Sequence, residues 1–148
     1  MRIPIVTLAA ALVLTGCRDK QPPFDILARE VTFPNGTTVS AVPAQTQLEI
    51  LQGLHYYNSL PANRGMLFIY AVPEKHPFWT YQAHFPVDII WMDRDHNIVE
   101  MSLNAPPCTT AAHECPNYGG KEISRYVLEV KAGVAAQNGL RRGDKLEF

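Results

Sequence analysis

The chain has 148 residues and a formal net charge of −1 at pH 7, a length that suits one domain of usual size. With no block of like charge, it carries no electrostatic footprint for nucleic acid and no acidic or basic tail. Its twelve prolines sit between apolar runs rather than inside helical patterns, which favours a strand-rich chain with many turns over a helix bundle.

At the N-terminus, Met1-Arg2 is a short basic head and Ile3 to Leu14 is an apolar run too short to span a bilayer. Leu14-Thr15-Gly16-Cys17 follows and resembles the lipobox of bacterial lipoproteins. The resemblance implies removal of a signal peptide over residues 1–16 and acylation of Cys17, the alternative being an ordinary secretory signal with an incidental cysteine. Acyl chains anchor at about 0.8 kcal/mol per buried methylene. The partner implied is a membrane, with the domain facing the periplasm or exterior. Position two of the mature chain would be Arg18 rather than Asp, which favours the outer membrane where one exists. Residues 17–28 read as a polar tether.

Two β-rich runs flank Pro34-Asn35-Gly36, and Asn-Gly supplies the positive φ values of a tight hairpin turn. Thr46-Gln47-Leu48-Glu49 fits a capping box and predicts a helix through about Tyr56, with Leu48, Leu51 and Leu54 on one apolar face. Pro61 and Asn63 break the chain before a compact apolar strand, Met66 to Tyr70. VDIIWM (Val87 to Met92) and IVEMSL flank the polar stretch Asp93 to Asn97, which predicts a second hairpin. Asn104 to Gly120 reads as a long irregular loop, Tyr126 to Val130 as a strand, and Ala132 to Asn138 as a short helix with Gly139 suited to its C-cap. Lys145 to Phe148 is expected to close the sheet. The sum is about seven strands and two short helices.

Cys108 and Cys115 enclose six residues and, in an oxidising compartment, are expected to form a disulfide. The sharper alternative is a soft-metal site of Cys108, His113 and Cys115, although the spacing lacks the usual paired-ligand form. His84 and Asp88 offer acid–base chemistry, while the blander reading has Asp88 accepting backbone N–H bonds after Pro86. Trp79, Tyr81 and Gln82, with Met66 and Phe68 on a neighbouring strand, form a candidate pocket for a small neutral or sugar-like ligand or a peptide. Trp79 and Phe68 are equally readable as core. No serine elbow, zinc-helix motif or phosphate-binding loop is present to support hydrolase or nucleotidyl chemistry.

The order of Gly53-Leu54, Gly65-Met66-Leu67-Phe68, Phe78-Trp79, Pro86 with Asp88, Cys115-Pro116 with Tyr118, Leu128-Glu129, Ala132-Gly133 and Gly143-Asp144 resembles the bacterial and archaeal family called domain of unknown function 192. The resemblance covers Val31 to Phe148 and implies one domain over residues 29–148, with an α+β, strand-dominated, barrel-like fold. After the tryptophan the family usually has Met-Lys-Asn-Thr, where this chain has Thr80-Tyr81-Gln82-Ala83. The expected function is a lipid-anchored, monomeric envelope binding or accessory module without cofactor or metal, using the pocket from Trp79 to Asp88 for a small-molecule or protein ligand. A small envelope enzyme using Asp88 and His84 is the alternative from another class.

Overall fold

A computed structural model describes residues 27–148. The expectations for the signal peptide, for Cys17 and for nearly all of the tether fall on residues 1–26, outside the described residues.

Alternating apolar residues and tight turns produce six strands. β1 (Arg29–Thr32) and β2 (Thr38–Ala44) form the first hairpin, turned through Gly36 at φ 84°. α1 (Gln47–Gln52) crosses from β2 to β3 (Arg64–Lys75), which therefore runs parallel to β2. β4 (Val87–Met92) and β5 (Ile98–Ala105) form the second hairpin. β6 (Ile123–Lys131) returns to lie between β3 and β4, and α2 (Val134–Gln137) follows it. The sheet order is β1-β2-β3-β6-β4-β5.

The central position of β6 decides everything around the site. Side chains alternate across a strand, and both faces of this one are covered. Leu128 and Val130 enter one core with Ile90 and Met92 of β4 and with Val134 and Ala135 of α2. Val127 enters the other with Ile89 and Trp91 of β4, Phe68 of β3 and Phe78. On that second face Phe78 packs edge-on between Phe68 and Trp91, at centroid distances of 4.8 and 5.8 Å.

The architecture departs from the sequence expectation in four places. The sheet has six strands and is not closed into a barrel. Lys145 to Phe148 makes only single bridges, Thr32 to Glu147 and Asn97 to Lys145, because this short segment is shared between two separated partners and ladders with neither. The capping box forms as expected, Thr46 Oγ1 accepting from the Glu49 N–H and Glu49 from the Thr46 N–H. α1 nevertheless stops at Gln52, where Gly53 adopts φ 47°. No residue of α1 is buried, so Leu48 and Leu51 stay exposed and only Leu54, beyond the helix, enters the core. β3 runs to Lys75, longer than expected, across an irregularity between Ile69 and Glu74 that accommodates Pro73.

Candidate functional site

An open cleft of about 470 Å³ lies over the second face of the sheet. α1 and the turn after it supply one side, with Leu48, Leu51 and Tyr56 exposed at the mouth. The segment Phe78 to Ala83 supplies the other, and Phe68 and Val87 form part of the base. Trp79 stands at the rim, 44% exposed, its ring 5.4 Å from that of Tyr81. Gln82 donates to the Tyr81 hydroxyl at 3.2 Å.

The wall from Phe78 to Gln82 has little regular structure of its own and is held by the chain from Ala105 to Tyr118. Phe78 and Tyr118 exchange two backbone hydrogen bonds, of 2.9 and 2.7 Å. Thr80 Oγ1 donates to the Pro106 carbonyl, the Cys108 N–H to the Thr80 carbonyl, and the Gln82 N–H to the Cys108 carbonyl. Gln82 itself has φ 56°, a left-handed conformation uncommon for a side-chain-bearing residue. Cys108 and Cys115 are disulfide-bonded, with Cα atoms 5.8 Å apart. The expected staple is therefore present and sits directly behind the wall. Bonded to each other, the two sulfurs are not free thiolates for a soft metal, and His113 stands exposed on a single 3-10 turn, Ala112–Glu114.

The base of the cleft holds a residue the candidate set lacked. Glu129 of β6 is only 6% exposed and lines the cleft. Its cross-strand neighbours are Met66 on β3 and Ile89 on β4, neither of which offers a polar partner. Burial alone pushes its carboxyl up from 4.5 to about 8, with no hydrogen bond or ion pair from any described residue pulling it back. Tyr70 is pushed up to about 12, first by its own burial and then by the Glu129 charge. The influence runs one way because a tyrosine is still neutral in the range where Glu129 ionises. A lone carboxylate in YVLEV, with apolar residues on both sides, was the available signal.

Of the expected site residues, Phe68, Trp79, Tyr81 and Gln82 line the cleft. Met66 is buried and flanks Glu129 beneath it. His84 and Asp88 do not line it. His84 is exposed on the turn before β4, while Asp88 is fully buried on the opposite face, beside α2. One Asp88 oxygen accepts from the Asn104 N–H at 2.8 Å and the other from the Ala135 N–H at 3.0 Å. The carboxylate thus ties β4 to the end of β5 and to the first turn of α2. The two residues form no acid–base pair, and Asp88 is a structural strut.

Comparison with known proteins agrees with this architecture. A protein of unknown function from Novosphingobium aromaticivorans is similar at 28% identity and a TM-score of 0.69, over 80% of this chain and 82% of that one. A protein described as a putative transcription regulator from Sinorhizobium meliloti is similar at 25% identity and a TM-score of 0.69, over 83% and 96%. No curated protein matches the sequence. The family model for DUF192, described as "Uncharacterized ACR", matches residues 30–148. The chain belongs to the DUF192 family.

Proposed function

We propose that the protein is a lipid-anchored cell-envelope binding module whose cleft between α1 and the Phe78 to Gln82 wall takes a small molecule with a substantial apolar part. One observation carries this reading. Leu48, Leu51, Tyr56 and Trp79, four of the large apolar side chains left exposed, converge on one opening. Scattered exposed apolar residues are ordinary, but a group of them rimming a concavity marks a binding surface. An enzyme reading draws less support, because His84 and Asp88 lie apart and Glu129 has no catalytic companion bonded to it. The regulator description of the Sinorhizobium protein is not carried over, since a net charge of −1 and a cleft lined by no lysine or arginine among the described residues suit nucleic acid poorly.

Native mass spectrometry of protein taken from its own envelope tests the reading. A small molecule should accompany the wild-type protein and be lost from Trp79→Ala. Equal retention in both would put the ligand elsewhere. The anchor has its own test: Cys17→Ser should abolish acyl labelling, and unchanged maturation of that variant would indicate an ordinary signal.

A further inference from the structure

We infer that the ligand of this cleft is an organic amine, bound as an ammonium whose N–H groups donate to Glu129 while its apolar or aromatic body lies against Trp79, Tyr81 and the leucines of α1. The inference rests on the binding reading above and names the ligand class.

The geometry points to a positive group in three ways. Glu129 is more than nine-tenths buried and lines the base of the cleft, and it takes no hydrogen bond from any described residue. Buried polar groups are otherwise almost always paired, and none of the described residues supplies the complement of this one. Secondly, no lysine or arginine among the described residues lines the cleft, so none of them competes for the carboxylate. Thirdly, aromatic rings line the mouth, those of Trp79, Tyr81 and Tyr56, and such rings attract cations, tryptophan best.

Titration at the site follows from the same arrangement. Tyr70 of β3, His55, Tyr56 and Tyr57 after α1, Tyr81 of the wall and Tyr118 are the other ionisable side chains described on this face, His76 stacks on Tyr70, and β4 presents only apolar ones. Lys131, two residues further along β6, is exposed. In the empty cleft burial holds the carboxyl protonated at neutral pH. When an ammonium arrives, the carboxyl O–H bond breaks and its proton leaves to the buffer. The ammonium keeps its own protons and donates them in a charge-assisted bond.

The test uses the full chain in zwitterionic lipid nanodiscs, with phenethylammonium, its neutral counterpart 2-phenylethanol, and empty discs as the blank. The amine should bind at least roughly tenfold more tightly than the alcohol, a difference of about 1.4 kcal/mol. Calorimetry at pH 7 in buffers of different ionisation enthalpy should find about one proton released with the amine and none with the alcohol. The proton count needs no variant, and in Glu129→Gln both the preference and the release should vanish. Equal binding of the two probes, weakened alike by Trp79→Ala, would overturn the amine assignment and leave the cleft a binding site. Binding of neither probe above the blank would overturn both readings.

Discussion

Glu129→Gln replaces the one carboxyl buried without a partner among the described residues by a neutral group of nearly the same shape, and its effect on stability is set by linkage. Each tenfold difference in proton affinity is about 1.4 kcal/mol. A carboxyl raised from 4.5 in the unfolded chain to about 8 in the fold therefore opposes folding by up to about 4–5 kcal/mol once the pH exceeds both values. Below pH 4.5 the group is protonated in both states and the effect is absent. As the pH rises through the interval up to 8, the unfolded chain releases this proton and the fold does not, so wild-type stability falls. The variant escapes that loss. Chemical denaturation of both proteins should show similar stability near pH 4.5, with Glu129→Gln progressively the more stable, by several kcal/mol at pH 8. His76 acts with the opposite sign in part of this range: burial holds it below its usual 6.5, so stability is lost as the pH falls through that region. Glu49 and Asp93, held low chiefly by hydrogen bonds, lose stability only in acid. All three act alike in the two proteins and cancel in the difference. A gap between them that does not change between pH 5 and 8 would refute an unpartnered, desolvated Glu129.

Asp88→Asn keeps one acceptor but turns an amide N–H₂ toward the second backbone donor, leaving a buried N–H unpaired at about 1–3 kcal/mol. A denaturation curve should show that loss, while ligand retention per folded molecule stays wild-type because Asp88 lies across the sheet from the cleft. Replacing Cys108 and Cys115 by serine should destabilise by about 2–3 kcal/mol from loop closure, and it should weaken binding as well, since the loop braces the Phe78 to Gln82 wall. Loss of stability with unchanged probe affinity would show the wall to be self-supporting. Gly119→Ala should cost about 1–3 kcal/mol by overpacking, because Gly119 has φ 58° and a Cβ there would overlap the Trp91 ring; thermal unfolding reads this directly.

Much of this fold was legible locally. Asn-Gly at 35–36 marks a hairpin, Thr46-x-x-Glu49 a helix start, and the polar stretch Asp93 to Asn97 a second hairpin, and each acts through neighbours in sequence. The site was half legible. Trp79, Tyr81 and Gln82 stood out because aromatic and polar residues precede an apolar strand, and they do line the cleft. Asp88 and Glu129 could not be told apart by the same reading. Both are single acids in strands buried on both faces, where alternation no longer distinguishes inside from outside. What separates them is the insertion of β6 between β3 and β4, which puts Asp88 under α2 and Glu129 under the cleft. Strand order is a long-range property that no local pattern encodes. The leucines of α1 illustrate the converse: their helical spacing promised a buried face, and the helix presents them to the opening instead.

The most direct measurement follows the side-chain carboxyl carbon of Glu129 by ¹³C NMR, with and without phenethylammonium. In the empty protein it should titrate near 8, and with the amine bound it should already be ionised at pH 6. A carboxyl that titrates near 4.5 in the empty protein and does not respond to the amine would contradict the account.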